Sequence, residues 1–188
     1  MKKLLAKVEA VMIADQTESF VTRRLEEADL TYGGIPGDRH FGITARADTR
    51  QPMYPKDTEI FNRRQISILS VEELDVIAKE LGVKAILPEW LGANLLISGL
   101  SNLTQLTMGS RLLFPSGAGL VCMGENRPCR FPGEVIQKNL PMVPELEKKF
   151  VRAAYKKRGI VCLVERPGTI KPGDQIKILV NDFANPLQ

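Results

Sequence analysis

The sequence predicts a mainly β protein with a few helices, its sheet curled into a barrel. Three observations carry this expectation. Short apolar or alternating runs, separated by glycine and proline turns, recur at residues 4–14, 64–69, 94–99, 111–114, 118–123, 160–164 and 175–180, the spacing of strands rather than of a helical bundle. Only residues 70–82 and 144–158 repeat their apolar side chains at helical period. The chain of 188 residues is 44% hydrophobic and 26% charged, ordinary globular usage, which predicts one domain over 1–188 with a core of its own.

Residues 4–14 are apolar enough for a strand buried on both faces, and residues 15–18 end it in a polar turn. The opening Met1-Lys2-Lys3-Leu4-Leu5 resembles the start of a signal peptide, but Lys7 and Glu9 break the apolar run early, so it reads as strand. No apolar run approaches the roughly 18–20 residues that cross a bilayer. A soluble, cytoplasmic protein with no membrane partner is expected.

Residues 31–42 are dense in glycine, so the backbone there can take φ > 0 and come close to a ligand. The same stretch gathers Asp38, Arg39 and His40, the last being the only histidine. Residues 46–57 read as a long polar loop broken by Pro52 and Pro55. After the strand at 64–69, Ser70-Val71-Glu72-Glu73 has the form of a capping box opening a helix. Val71, Leu74, Ile77, Ala78 and Leu81 then share one face, and Gly82 is the stop. Residues 88–92 form a helical turn at most, with Trp90 in the core, before the strand at 94–99. The runs at 111–114 and 118–123 read as a hairpin that delivers residues 124–133 as a loop stiffened by Pro128 and Pro132. In the second helix, 144–158, Leu146, Phe150 and Ala154 face inward. Lys156, Lys157 and Arg158 offset the macrodipole at its end. Residues 160–164 and 175–180 complete the sheet.

The chemistry concentrates at Cys129, which lies between Arg127 and Arg130. A cysteine acts as nucleophile or soft-metal ligand in its thiolate form, which neighbouring guanidinium charge favours. Cys122 and Cys162 sit inside apolar strands and read as small core hydrophobes. Three cysteines without paired spacing form neither a disulfide framework nor a zinc knuckle, which implies a reducing compartment. The net charge of +4 and sequence pI near 9.0 suit an anionic ligand. Nucleic acid is not expected as a partner, because no aromatic residues interleave the basic ones.

Several pieces, each weak alone, resemble the MOSC domain in order and spacing: Gly37-Asp38-Arg39-His40, Arg64-Gln65-Ile66-Ser67-Ile68-Leu69-Ser70, Gly92-Ala93-Asn94-Leu95, Met108-Gly109-Ser110, Arg127-Pro128-Cys129, and the closing 159–174. The resemblance runs from about residue 8 to about residue 178, with Arg127-Pro128-Cys129 its sharpest element. It implies a MOSC-type β-barrel and a cysteine at 129 that handles sulfur or ligates molybdenum. The implied cofactor is molybdenum cofactor, an anionic pterin carrying a phosphate and a dithiolene. Asp38, Arg39, Arg64, Asn94, Arg127 and Arg130 are then expected at the cofactor, with Cys129 and His40 at the chemistry and Cys129 at the metal. No pyridoxal-phosphate desulfurase domain accompanies these pieces, so a cysteine desulfurase or a molybdoenzyme is the expected partner.

Three functions follow as expectations from the resemblance. The first is a sulfur carrier working through a Cys129 persulfide. The others are a molybdenum-dependent reductase of N-hydroxylated compounds and a module that delivers cofactor or sulfur without turnover. Ala93 stands where many relatives carry an acidic residue, which tilts the expectation from reductase towards carrier or delivery.

Overall fold

The computed structural model describes residues 2–182. In chain order its elements are β1 (Lys3–Ile13), β2 (Arg23–Leu25), β3 (Ala28–Leu30), β4 (Thr44–Arg46), β5 (Glu59–Phe61), β6 (Ile66–Ser70), α1 (Val71–Leu81), β7 (Leu95–Ser98), β8 (Arg111–Leu113), β9 (Gly119–Glu125), α2 (Arg130–Asn139), α3 (Leu146–Ala153), β10 (Ile160–Arg166), β11 (Gly168–Ile170) and β12 (Gln175–Leu179). Short 3-10 turns lie at Pro88–Leu91 and Leu103–Gln105. Seven strands pair in the order β12-β8-β9-β10-β6-β7-β1, and β1 returns to β12, closing the barrel. The predicted β-barrel is therefore present. Closure leaves these strands no open edge, which removes a template for aggregation. β6 and β7 are parallel, and α1 makes the crossover that parallel neighbours need.

Alternation along the strands divides the apolar residues between two cores. Val8, Ile66, Ile68, Leu112, Leu120, Ile160 and Ile178 fill the barrel, while Met12, Leu69, Ile77, Leu91, Ile136 and Phe150 pack outside it under the helices. β1 serves both. Its register against β7 shifts between Val8 and Ala10, and a bulge of this kind changes which face the following side chains take. Ala6 and Val8 belong to the inner core before the shift, and Val11 and Ile13 after it. Ala10 and Met12 are thereby released to the outer core.

The expected first helix is present as α1, with Ser70 Oγ accepting the Glu73 N–H at 3.1 Å and Gly82 stopping it at φ 69°. The reciprocal half of the capping box is replaced. Glu73 instead accepts the Thr104 N–H at 2.8 Å and the Thr104 hydroxyl at 2.7 Å, because a buried carboxylate needs donors that Ser70 alone does not supply. Burial still holds the Glu73 carboxyl above its ordinary value, against those two bonds. Trp90 is partly buried at the edge of the outer core. The 46–57 segment, read as a loop, closes a hairpin in which β4 and β5 pair and Asp57 N–H bonds Ala47 O at 2.9 Å.

Residues 124–133 depart furthest from expectation. β9 runs on to Glu125, and what reads as a loop is the start of α2, with Cys129 as its N-cap. Pro132 is expected above to stiffen a loop. Yet a proline in the first turn costs little, because N–H groups there have no helical partner. Gly133 serves packing: a Cβ there would meet Glu147 O at 2.9 Å and Phe150 Cβ at 3.0 Å, so its absence lets α2 lie close on α3.

The second predicted helix is shorter than 144–158. It ends at Ala153, and Arg158 is buried rather than a solvated C-terminal cation. The turn into β10 is forced at Gly159, whose φ is 74° and whose Cβ would fall 1.9 Å from Ile68 O.

Candidate functional site

Cys129 stands exposed at the N-terminal end of α2, and its Sγ caps none of the helix N–H groups. The first turn therefore offers uncapped N–H donors and the positive end of the helix dipole at this residue, which favours an anion there. The flanking arginines face outward. Arg127 is exposed, and Arg130 lies 3.3 Å from Glu134 on its own helix and over the Phe131 ring.

A half-buried cation reaches the segment before Cys129 from far away in sequence. Arg64 Nη2 donates to Asn126 Oδ1 at 2.8 Å. Burial lowers the Arg64 pKa to about 10, with Arg50 acting in the same direction, while Asp48 and a Cys129 thiolate oppose the fall. At neutral pH Arg64 is a cation.

A chain of bonds connects the glycine-rich segment to Asn126, although Cys129 itself is not among the residues lining the cleft at His40. Gly34, Gly37 and Gly42 do take positive φ. Asn62 Nδ2 donates to His40 O at 2.8 Å and Gly42 O at 3.1 Å, and Asn62 Oδ1 accepts the Arg64 N–H at 3.0 Å. Since Arg64 holds Asn126, three residues before Cys129, this path ties the His40 segment to the cysteine segment.

Asp38 organises the segment from below. It is buried, and its Oδ2 accepts Ala14 N–H at 2.9 Å and Asn94 Nδ2 at 2.8 Å. Its Oδ1 accepts His40 N–H at 2.8 Å and lies 3.1 Å from His40 Nδ1. Burial alone would raise the Asp38 pKa, but His40 and the two backbone donors outweigh it and hold the carboxyl below its usual value. An ionised carboxylate only accepts, so it fixes the neutral His40 tautomer with hydrogen on Nδ1 and leaves Nε2 free. Asn94 is engaged likewise: its Oδ1 accepts Ser67 N–H at 3.0 Å. Asp38 and Asn94 thus spend their polar atoms inside the protein, whereas Arg39, His40 and Arg64 line an open cleft of about 730 Å³ together with Arg46, Arg50 and Arg63. Phe41, Met53, Tyr54 and Phe61 give the same cleft an aromatic and apolar wall.

Arg158 was hidden from sequence reasoning by its place in a basic run. Its Nη2 donates to Leu91 O, and its buried Nη1 has no hydrogen-bond partner among the described residues. Burial lowers its pKa to about 10, and a Cys129 thiolate opposes that effect while Arg64 and Arg50 add to it. The signal that could have exposed it is the next residue, a glycine entering a strand.

Cys122 and Cys162 face one another in register across β9 and β10 and are fully buried. Burial raises the Cys122 thiol and pushes the Cys162 thiol well up. Ala93 is fully buried in the outer core, so in this chain an acidic side chain at 93 would meet apolar neighbours rather than the cleft. Among the described residues no cluster of three or more His, Cys, Asp or Glu is arranged to hold a metal ion, and no helix is long and apolar enough to cross a membrane.

Comparison with known proteins gives a consistent picture. The model of the MOSC domain family matches residues 36–177. A Bacillus subtilis protein, YuaD, provisionally named for metal-sulfur cluster biosynthesis, is 57% identical over 177 residues, which are 94% of this chain and 92% of YuaD. The crystal structure of YuaD superposes with a TM-score of 0.93 at 56% identity, covering 96% of this chain and 99% of that one. YiiM from Geobacillus stearothermophilus shares the fold, with a TM-score of 0.64 at 13% identity over 95% of this chain and 77% of its own.

Proposed function

The chain belongs to the MOSC domain family, and from that premise we propose that it handles sulfur in the service of molybdenum-cofactor chemistry, carrying it as a persulfide on Cys129. The observation that carries the reading is the contrast among the thiols: Cys129 is exposed at a helix N-terminus with Sγ uncommitted, while Cys122 and Cys162 are sealed in the barrel. The wording attached to YuaD, metal-sulfur cluster biosynthesis, concerns that protein and lends support to sulfur as the common theme.

The transfer needs a donor with a persulfide of its own, such as a cysteine desulfurase. The Cys129 thiolate attacks the outer sulfur of the donor persulfide, the donor's S–S bond breaks, and the donor departs as a thiolate. Nothing is oxidised or reduced overall. An acceptor thiolate then attacks the outer sulfur of the Cys129 persulfide, that S–S bond breaks, and Cys129 departs as a thiolate. His40, which lines the cleft with Nδ1 against Asp38, is assigned in this reading the proton that Cys129 loses on becoming a thiolate. Asp38 and Asn94 hold the His40 segment in place.

The residues present fit molybdenum cofactor. Arginines are suited to bidentate binding of its phosphate, and Arg39 and Arg64 supply them at the cleft. An exposed thiol is the soft ligand a molybdenum centre accepts. When bound, the cofactor would supply two-electron redox chemistry at its metal. Arg127 and Arg130, exposed on either side of Cys129 and outside the lining of the cleft, add only solvent-screened positive charge in this reading. The cationic cleft is also the observation that favours a second reading, a reductase of N-hydroxylated compounds.

Incubation with a cysteine desulfurase and ³⁵S-cysteine tests the choice. Label on wild type that is released by thiols and absent from Cys129→Ser is expected. Brisk reduction of N-hydroxylated bases by cofactor-loaded protein, lost in Cys129→Ser, with no persulfide ever trapped, would make the reductase reading the correct one.

A further inference from the structure

We propose that Cys122 and Cys162 form a covalent modification site: a reversible disulfide joins β9 to β10 inside the barrel and locks the two strands together under oxidising conditions. The inference stands apart from the reading of Cys129 and concerns the two thiols which that reading leaves unused. Both are free in this structure, both belong to the inner core, and both are fully buried.

Register brings them together. Cys162 and Cys122 are Cα partners in the antiparallel ladder of β10 and β9, in the regular stretch from Cys162 to Val164 that lies between two register shifts. Hydrogen bonds show which kind of pair this is. Cys122 N–H donates to Ser110 O at 2.8 Å and Cys122 O accepts the Gly109 N–H at 2.8 Å, so both of its backbone groups point away from β10, to the β8 side. Two residues beyond Cys162, the Val164 N–H donates to Gln65 Oε1 at 2.8 Å, on the β6 side. Residues two apart in a strand direct their backbone groups alike, so those of Cys162 point away from β9. The two cysteines are therefore a non-hydrogen-bonded pair, the narrow kind, with Cα atoms about 4.5 Å apart and side chains on one face. That separation lies within the roughly 4.4–6.8 Å that a disulfide spans, so the bond needs no displacement of either strand.

The chemistry is two thiol–disulfide exchanges with a small-molecule disulfide, such as glutathione disulfide, as oxidant. Access comes when the strands separate during opening or folding. The thiolate of one cysteine attacks a sulfur of the oxidant, whose S–S bond breaks and releases one small thiolate. The other cysteine thiolate attacks the protein sulfur of the mixed disulfide, and the second small thiolate leaves. Two protein thiols are oxidised, one small disulfide is reduced, and the two protons pass through water to the departing thiolates. The new bond closes a loop of about 40 residues that carries Cys129, α2 and α3. Cross-linking a loop of that length disfavours the unfolded chain, so the oxidised barrel opens less often than the reduced one.

The test compares how readily the pair oxidises with and without the fold. Wild type whose Cys129 has been blocked with N-ethylmaleimide in the native state, and Cys129→Ser in parallel, are refolded from urea into glutathione redox buffers or kept in urea in the same buffers. After acid quenching, the bond is read by mass spectrometry as peptides linked through Cys122 and Cys162. The equilibrium constant for oxidation is expected to be about thirtyfold to a thousandfold larger in the folded protein than in urea, and dithiothreitol should return both thiols. A ratio below about tenfold would overturn the proposal, because the native pair would then not be aligned for the bond. Urea unfolding supplies a second measurement. The midpoint of the oxidised protein should lie above that of the reduced protein, and a midpoint unchanged or lowered would also overturn the proposal. Neither measurement uses the Cys129 thiol, so failure of sulfur transfer there and failure of this cross-link are told apart.

Discussion

Asn94 Nδ2 donates to Asp38 Oδ2 at 2.8 Å, a buried bond that joins the head of β7 to the glycine-rich segment 56 residues earlier. With Ala14 N–H on the same oxygen and His40 on the other, one carboxylate fastens that segment to the barrel. The first prediction concerns this bond. Removing one member of a buried charged network leaves donors unsatisfied, so Asp38→Ala should cost about 2–4 kcal/mol in urea unfolding at neutral pH.

The pH dependence has a definite sign. The folded Asp38 carboxyl sits below its ordinary value because the bonds to His40 and Ala14 outweigh burial. Its contribution is therefore complete above the unfolded carboxylate pKa of about 3.9 and lost as pH falls through the lower folded value. The stability gap between wild type and Asp38→Asn should be widest near neutrality and narrow on acidification. A gap independent of pH would show that the negative charge is not what holds the segment.

Gly159 and Gly82 make a matched pair of positive-φ glycines in different surroundings. A Cβ at Gly159 would lie 1.9 Å from Ile68 O, whereas one at Gly82 would meet nothing within 4 Å. Gly82→Ala should cost about 1 kcal/mol, the backbone penalty alone. Gly159→Ala should cost more than about 3 kcal/mol or prevent folding, because β10 must move off β6. Thermal melts by circular dichroism compare the two, and equal losses would refute the steric argument.

The helices show where the sequence was legible and where it was not. α1 follows directly from Ser70, the apolar face and Gly82, because local residues supply both its caps. α2 was obscured because Pro132 and Gly133 carry meanings that depend on tertiary context: both suit a loop until the nearness of Glu147 and Phe150 to Gly133 is known. Cys129 stood out through its neighbours, yet those neighbours face solvent. Half-buried Arg64, which reaches Asn126, and buried Arg158 lie about 65 and 29 residues from Cys129 in sequence, and their surroundings exist only once the barrel has closed. Arg158 was the harder to see, since nothing local distinguishes it from Lys156 and Lys157.

Burial separates the three thiols by access as well as by acidity. Cys122 and Cys162 lie inside the barrel with their thiols raised by desolvation, so they should react only when β9 and β10 separate, which requires global opening. Native protein treated with N-ethylmaleimide should carry one label, at Cys129 by peptide mass spectrometry, and urea should expose the other two together. Labelling of Cys122 or Cys162 at a rate independent of urea would mean that the barrel opens locally.

The last prediction separates the two ends of the cofactor. If the arginines of the cleft hold phosphate and Cys129 holds metal, their losses must differ in kind, because a phosphate contact and a soft thiolate ligand answer to different parts of one molecule. Protein produced in a host that makes molybdenum cofactor should copurify with pterin, read by fluorescence after oxidation, and with molybdenum, read by elemental analysis. Arg64→Met removes a desolvated cation from the cleft wall, so pterin and molybdenum should fall together, by about tenfold for the loss of one charged hydrogen bond. Cys129→Ser leaves the arginines in place, so pterin should be retained while bound molybdenum becomes sensitive to chelators. Equal loss of both components in both variants would mean that Cys129 and Arg64 act on binding through the fold, and retention of both in both variants would place the cofactor elsewhere than this cleft.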